Sequence, residues 1–195
     1  MTTNDQLLID AILAGDTPSF SILVDRYKDL VFTLALRMVK HREEAEEVSQ
    51  DTFIKVFKSL NKFKGDSKFS TWIYKVAYNT CLDRLKKHKR AQHLVAIDEY
   101  TEHQVKTIDN ALDAMEREEK KEAIQSCMQL LPSDDSALLT LFYFEELSLE
   151  EIAKIVGLTT NNVKVKLFRS RKKLTSILRD RLEPELIEHY ERERR

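Results

Sequence analysis

Positive side chains concentrate in two stretches of this sequence, and each stretch also contains at least one aromatic residue. Residues 54–90 contain 11 Lys and Arg against 2 Asp and Glu, and residues 152–182 contain 9 against 1, although the net charge of the whole chain is -1. Each Lys or Arg near a phosphate releases counterions and adds salt-dependent affinity. The two basic blocks therefore predict two separate contacts with one polyanion. Charge alone leaves open that they are simply two solvated helix faces.

The second block contains the pattern of a helix-turn-helix over residues 147–174. Ser148 followed by Glu151 predicts a capping box at the start of one helix. Gly157 predicts the left-handed residue of the turn, and residues 159–161 (Thr-Thr-Asn) offer side-chain caps for the next helix. These capping and turn residues predict two helices joined by a short turn.

The second helix of this motif has an apolar face and a cationic face. At 100° per residue, its inward face consists of Val163, Leu167, Ser170 and Leu174. The outward face and its flanks consist of Lys164, Val165, Lys166, Phe168, Arg169 and Lys172. Arg and Lys bond guanine edges or phosphates, and apolar side chains meet thymine methyl groups. This face predicts DNA reading, and a helix pair that only packs is the alternative.

The first block predicts a long helix from about Ser70 to Arg90. One stripe of this helix carries Trp72, Lys75, Asn79, Lys86 and Arg90. The opposite side, predicted to face the core, carries Ile73, Tyr74, Ala77, Tyr78, Cys81 and Leu85. An aromatic ring among cations suits single-stranded nucleic acid, because a base stacks on the ring while the cations hold the backbone. A tryptophan packed in the core is the alternative reading.

The composition predicts an all-α protein. Only three glycines and three prolines occur, and apolar residues recur at three- and four-residue spacings. The periodicity weakens in an acidic middle stretch, so we expect two small helical domains joined by a flexible linker. The predicted boundaries are a first domain over 5–92, a linker over 93–118, a second domain over 119–182 and a C-terminal tail over 183–195.

The chemistry of an enzyme or a metal site is not indicated. The sequence has no glycine-rich phosphate loop, and its histidines and cysteines lack metal-ligand spacing. Cys81 and Cys127 are expected to be packed thiols. No apolar stretch has the roughly 20 residues of a membrane helix. We expect a cytoplasmic protein without a cofactor, a metal, catalytic activity or membrane insertion.

Several motifs in this order resemble those of bacterial RNA polymerase sigma factors. Residues 46–53 (EEVSQDTF) with 60–63 (LNKF) resemble their polymerase-binding region, and residues 64–83 (KGDSKFSTWIYKVAYNTCLD) resemble their minus-ten recognition region. The helix-turn-helix resembles their minus-35 region. The similarity covers about residues 5–90 and 120–180 and leaves no room for the central domain of housekeeping factors. It therefore resembles the extracytoplasmic-function (ECF) type, group 4 of the sigma-70 family.

The resemblance implies a factor that binds core RNA polymerase and directs it to promoter DNA, and it implies roles by position. The residues implied to bind polymerase are Glu47, Gln50, Asp51, Phe53 and Phe57. Those implied to bind the minus-ten element are Phe63, Lys64, Gly65, Asp66, Ser67, Trp72, Lys75, Asn79, Lys86 and Arg90. Those implied to bind the minus-35 element are Asn161, Asn162, Lys164, Val165, Lys166, Phe168, Arg169, Arg171 and Lys172. The family also implies an anti-sigma factor that clamps the two domains.

Two positions depart from the family pattern. Housekeeping members have a tryptophan pair where this chain has Lys75 and Val76, and many relatives have Gly-Thr where this chain has Asn161 and Asn162. The alternatives to a sigma factor are a two-domain transcriptional regulator that acts without binding polymerase and a helical adaptor that binds only protein.

Overall fold

The computed structural model describes residues 3–89 and 117–181, which form helices and short connections. In chain order the helices are α1 Thr3–Leu13, α2 Phe20–Val39, α3 Arg42–Ser59, α4 Phe69–Lys89, α5 Arg117–Leu130, α6 Ser133–Leu139, α7 Leu149–Val156 and α8 Thr160–Arg181. The predicted all-α fold is confirmed. Arg90, most of the predicted linker and the tail lie outside the described residues.

The first half is a bundle in which α2, α3 and α4 each pack on the other two and α1 lies against α2. Its core includes Leu23, Val31, Leu34, Val48, Val56, Ile73, Ala77 and Cys81. α2 ends at Val39, and the next residue, Lys40, caps it by taking the left-handed conformation (φ 67°) and donating its N–H to the Leu36 carbonyl. The following helix carries Glu43 and Glu44 in its first turn, where negative charge stabilises the helix dipole.

The second half contains a helical segment whose start differs from the sequence-based expectation. The apolar spacing predicts a helix over Ala137–Phe144, but α6 begins at Ser133 and continues as π-helical turns over Thr140–Phe144. Pro132 precedes the helix, and Asp134 and Asp135 occupy its first turn. These acidic residues complement the positive end of the helix dipole, which explains why the helix starts before its apolar face does.

The two halves lie against each other and share one cluster of buried side chains. α2 contacts α6, and α4 contacts α7. Met38 of α2 and Met128 of α5 belong to the same buried cluster, and neither is exposed to solvent. The two helical domains are therefore both present and packed together.

Candidate nucleic-acid interface

The helix-turn-helix is formed by α7 and α8, with the caps that the sequence predicts. The hydroxyl of Ser148 accepts the Glu151 N–H at 3.2 Å, and the Ser148 N–H donates to the Glu151 carboxylate at 3.0 Å. This is the predicted capping box. Gly157 has φ 70° and donates its N–H to Ala153, as the turn requires. Of the three candidate caps for α8, Thr159 accepts a backbone N–H, that of Asn162, at 3.2 Å.

The rotation of α8 about its axis is fixed by a carboxylate that the sequence analysis did not identify. Val163, Leu167 and Ser170 are buried, as the helical wheel predicts. The Ser170 hydroxyl donates to Asp135 of α6 at 2.6 Å, and the Lys173 ammonium donates to the other oxygen of that carboxylate at 2.6 Å. The sequence did contain a clue to this contact. Ser170 lies on the predicted inward face of α8, and a buried serine hydroxyl needs a hydrogen-bond partner.

The outward face of α8 is open to solvent. Its exposed members are Asn161, Asn162, Lys164, Val165, Lys166, Phe168, Arg169 and Arg171. Phe168 is 45% exposed and Val165 is 43% exposed, so apolar surface lies among the cations of this face. Lys172 is half-buried, because its ammonium lies 4.7 Å from the centroid of the Phe168 ring. The face therefore offers both charged donors and apolar surface to a ligand.

Arg171 points away from the centre of this face. Its guanidinium donates to the Tyr143 hydroxyl at 3.2 Å, across to the π-helical segment. Tyr143 was not identified from the sequence. The contact leaves Arg171 exposed at the edge of the outward face, where its charge can reach a phosphate.

In the first half, three aromatic rings meet at the start of α4. Phe69 is buried, and its centroid lies 5.1 Å from that of Phe63 and 5.6 Å from that of Trp72. Phe63 and Trp72 also contact each other at 5.6 Å, and both are half-buried. Trp72 therefore packs on the core and keeps part of its surface accessible, so the two sequence-based readings of this residue are compatible.

The loop between Phe63 and α4 lies beside these rings. Lys64, Gly65 and Asp66 are exposed, and Ser67 is half-buried. Gly65 has φ 76°, a conformation that side-chain-bearing residues rarely adopt. The glycine therefore permits the left-handed backbone conformation that the loop takes at this position.

The two predicted faces of α4 are arranged as expected for the described residues. Lys75, Asn79 and Lys86 are exposed along one stripe. On the core side, Ile73, Tyr74, Ala77, Tyr78 and Cys81 are buried and Leu85 is half-buried. Arg90, the last residue of the predicted stripe, lies outside the described residues.

The helix α3 presents acidic residues next to an apolar groove. Glu47, Gln50 and Asp51 are exposed, and Glu47 forms an ion pair with Arg84 of α4, a partner that the sequence did not indicate. Further along α3, Phe53 and Phe57 line a groove of about 590 Å³ that also includes the start of α2. Phe57 is 41% exposed.

Both cysteines are free and buried, as predicted. Burial raises the pKa of Cys81 to about 12, so this thiol stays protonated near neutral pH. Among the described residues no group of three or more His, Cys, Asp and Glu side chains could hold a metal ion. In the same part of the chain, no helix combines the length and the apolar character that crossing a membrane demands.

Two known protein families match the two parts of the chain that carry these surfaces. The family described as "Sigma-70 region 2" matches residues 23–91, and the family described as "Sigma-70, region 4" matches residues 121–174. The chain belongs to the sigma-70 family of RNA polymerase sigma factors and is of the ECF type. We refer to residues 23–91 as region 2 and to residues 121–174 as region 4.

Curated relatives are similar over most of their length. The chain is 35% identical over 180 residues to the RNA polymerase sigma-H factor of Pseudomonas aeruginosa, which covers 89% of this chain and 93% of the relative. It is 34% identical over 178 residues to the ECF RNA polymerase sigma factor SigW of Bacillus subtilis, covering 88% and 95% respectively. It is 32% identical over 173 residues to the ECF RNA polymerase sigma-E factor of Escherichia coli K12, covering 86% and 90%.

Solved structures share the fold at lower sequence identity. CnrH in complex with the cytosolic domain of CnrY has a TM-score of 0.58 and 20% identity, covering 91% of this chain and 99% of CnrH. The sigma factor RpoE of Bartonella quintana, solved with the anti-sigma factor NepR, has a TM-score of 0.62 and 16% identity, covering 84% and 98%.

Family membership decides between the alternatives that the sequence left open. The chain is a transcription initiation factor rather than an enzyme, and it directs promoter-specific initiation through regions 2 and 4. The resemblance inferred from the sequence motifs is confirmed. A regulator that acts without polymerase and a protein-only adaptor are thereby set aside.

Proposed function

We propose that this sigma factor divides promoter recognition between two surfaces of different kinds. Region 2 binds the minus-ten element as it becomes single-stranded, and α8 of region 4 binds the minus-35 element as a duplex. The observation that carries this proposal is the contrast between half-buried stacked rings at Trp72 and an exposed cationic helix face around Arg169.

Polymerase binding is assigned to α3. Exposed Glu47, Gln50 and Asp51 form a polar patch, and Phe53 and Phe57 supply apolar surface beside it. A protein interface commonly combines aromatic anchors with a polar rim. The patch lies on the same helix bundle as the proposed minus-ten surface, so polymerase binding would place that surface at a fixed position on the enzyme.

Minus-ten recognition is assigned to the loop and the exposed stripe of α4. A base extruded from the non-template strand stacks on Trp72 and is held by the loop, while the cations of α4 contact the backbone. Extrusion costs a few kcal/mol of unstacking, which the pocket has to offset. The residues in this assignment are Phe63, Lys64, Gly65, Asp66, Ser67, Trp72, Lys75, Asn79, Lys86 and Arg90.

Minus-35 recognition is assigned to the outward face of α8. Arg169 is exposed on this face and can bond a guanine edge, Val165 and Phe168 can contact thymine methyl groups, and Arg171 serves a phosphate. The residues in this assignment are Asn161, Asn162, Lys164, Val165, Lys166, Phe168, Arg169, Arg171 and Lys172. Asn161 and Asn162 precede the base-reading turn of the helix and set how closely its N-terminus approaches the DNA.

The same proposal includes a cytoplasmic location and an anti-sigma partner. Core RNA polymerase and promoter DNA are cytoplasmic in bacteria, and the relatives are bacterial sigma factors. One of the structural neighbours is a complex of a sigma factor with an anti-sigma factor. We assign the two domains to 5–92 and 119–182, separated by a linker at 93–118, and the tail to 183–195.

In vitro transcription tests the function directly. Core RNA polymerase from the source bacterium is combined with the purified protein and fragmented genomic DNA, and transcript starts are mapped by sequencing. We expect starts that require both proteins and share elements about 10 and 35 bases upstream. Absence of core-dependent initiation, together with duplex binding by the protein alone, would overturn the proposal.

A further inference from the structure

Tyr143 lies at the surface of region 4 on an irregular helical segment. Helix α6 continues through Thr140–Phe144 as π-helical turns, in which the Glu145 N–H donates to the Thr140 carbonyl, five residues earlier, at 3.1 Å. In a regular α-helix Tyr143 would share one stripe with Leu139, four residues before it, and Leu139 is buried. The π-helical turns change this register, a feature that is frequent at functional sites, and Tyr143 is 50% exposed.

The ring of Tyr143 is supported from one side, and its hydroxyl keeps a donor. Phe142 is half-buried and packs edge-on against the Tyr143 ring, with 5.0 Å between the two centroids and 83° between the ring planes. The Arg171 guanidinium of α8 donates to the Tyr143 oxygen at 3.2 Å. A phenol oxygen that accepts a hydrogen bond still has its own O–H to donate. Within residues 3–89 and 117–181 no acceptor takes this O–H, so it is available to a ligand.

The charge of Arg171 is not offset by a carboxylate in the part of the chain that the structure describes. Lys173, two residues further along α8, pairs with the Asp135 carboxylate at 2.6 Å, so its charge is balanced inside region 4. Arg171 instead has the neutral hydroxyl of Tyr143 as its partner, and its side chain is exposed. Only one N–H of the guanidinium is engaged by Tyr143, and the other donors can bind an anion.

The position of Arg171 on α8 suits a contact with the DNA backbone. Arg171 lies on the same stripe as Lys164, seven residues and about 10 Å further along the helix axis. The first turns of a recognition helix reach the base edges, so a side chain two turns later lies beside the sugar-phosphate strand. Here the O–H of Tyr143 and the N–H groups of Arg171 come together from two different elements. A phosphate can accept from both, and hydrogen bonds to an ionised group are the stronger kind.

We propose that Tyr143 and Arg171 together bind one backbone phosphate beside the minus-35 element, and that this two-point contact fixes how α8 lies in the major groove. The proposal rests on the assignment of the minus-35 element to α8. It adds Tyr143, which lies outside the helix-turn-helix, to the DNA surface. An arginine side chain loses rotamer entropy when it binds a phosphate. The bond to Tyr143 orients the guanidinium beforehand, which lowers that cost.

Neutralising single phosphates locates the contact. Holoenzyme is assembled from core RNA polymerase and the full-length protein, and its affinity is measured for promoter fragments that each carry one uncharged methylphosphonate linkage in or beside the minus-35 element. We call the fold loss of affinity at each position the phosphate response. The phosphate whose response disappears in Arg171→Ala is the one that Arg171 binds. We expect the unsubstituted protein to show a response of about tenfold there, the size typical of a hydrogen bond to a charged group.

Tyr143→Phe removes the hydroxyl and keeps the ring. We expect the response at the phosphate of Arg171 to fall to about threefold, the responses at other phosphates to stay unchanged, and the affinity for the unmodified promoter to fall about 3- to 10-fold. The slope of log affinity against log salt should be preserved, because no charge is lost, whereas Arg171→Ala should reduce it by about 1. The matched control, Tyr27→Phe, removes a phenol hydroxyl that bonds Asp5 at 2.6 Å in region 2, and it should match the unsubstituted protein.

Three results would overturn the proposal. The first is a Tyr143→Phe protein with unchanged responses at every phosphate, even if its overall affinity is lower, because Tyr143 would then only brace α6 against α8. The second is a response lost at a phosphate other than that of Arg171. The third is that no response disappears in Arg171→Ala although Arg169→Ala still reduces the preference for the minus-35 element. A failure of the proposed function itself differs from all three, since Arg169→Ala would then leave that preference intact.

Discussion

Region 4 and region 2 present their proposed DNA surfaces in different ways. The surface of region 4 lies on a single helix, α8. Most cations of its outward face are exposed, and Asp135 contacts the helix from the opposite side through Ser170. The surface of region 2 is assembled from a loop and a helix, and its rings at Phe63 and Trp72 are half-buried against Phe69. A duplex can be read by an exposed helix, whereas an unpaired base needs a ring that is both accessible and rigidly supported.

The largest effect is expected from removing the Trp72 ring. This change should impair the minus-ten surface of region 2 and leave the minus-35 surface of region 4 intact. Trp72→Ala removes the platform for a stacked base, and stacking is worth about 1–3 kcal/mol per base. We expect open-complex formation with core polymerase to fall about 10- to 100-fold, while binding of a minus-35 duplex is unchanged. Permanganate reactivity of unpaired thymines measures opening, and circular dichroism verifies folding. Trp72→Phe, which keeps an aromatic ring, is expected to lose less than tenfold. A folded Trp72→Ala protein that opens promoters normally would refute the stacking role.

The next effect concerns base reading by region 4. Arg169→Ala removes a candidate bidentate contact with guanine, a contact worth about 1–3 kcal/mol of discrimination. We expect the preference for intact over altered minus-35 elements to fall about tenfold in competition transcription, with discrimination at the minus-ten element unchanged. Lys154→Ala, an exposed cation on α7, is the matched control and should leave both preferences intact. Equal losses at the two elements would contradict the division of labour.

A smaller effect is expected from changing Asp135, which contacts α8 on the side opposite its proposed DNA-binding face. Asp135→Asn weakens the charged contacts that orient α8 through Ser170 and Lys173. Asp135 is a positioning residue, so we expect a severalfold loss in the ratio of specific to nonspecific duplex affinity, measured well below the unfolding temperature. The salt dependence of nonspecific binding should be preserved, because no phosphate contact is lost. A parallel loss of specific and nonspecific affinity would show that Asp135 only stabilises the fold.

The smallest effect should appear in salt dependence rather than in specificity. Lys166 is exposed at the flank of the α8 face and is placed to contact phosphate. Lys166→Ala is expected to weaken binding to all duplexes about equally and to reduce the slope of log affinity against log salt by about 1. Titrations at several salt concentrations on a promoter and on unrelated DNA measure both quantities. A change of preference among sequences with an unaltered slope would assign Lys166 to base reading instead.

The two regions also differ in how much of them the sequence could predict. The capping box of Ser148 and Glu151 and the turn at Gly157 depend on neighbours within a few residues, and they are confirmed. The apolar spacing did not predict the start of α6 at Ser133, because Pro132 and the helix dipole determine it. Local patterns predict the elements of region 4 and where they turn.

Such local patterns could not predict contacts between residues that are far apart in the sequence. Helical periodicity indicates that one side of α4 is buried, and it does not indicate which helix covers Tyr78 there. The pairing of Asp135 with Ser170 joins residues 35 positions apart on two helices. The cluster of Phe63, Phe69 and Trp72 likewise depends on the turn of the intervening loop. The sequence motifs suggested roles at these positions by resemblance, and the structure supplies the contacts.

Transcription from a library of randomised promoters tests the central claim most directly. Core polymerase is combined with the unsubstituted protein, Arg169→Ala or Asn79→Ala, and the sequences that yield transcripts are counted. We predict that Arg169→Ala flattens the base preferences only around position minus-35 and that Asn79→Ala flattens them only around minus-ten. Preferences that change at both elements with either variant, or at neither, would contradict the assignment of one element to each region.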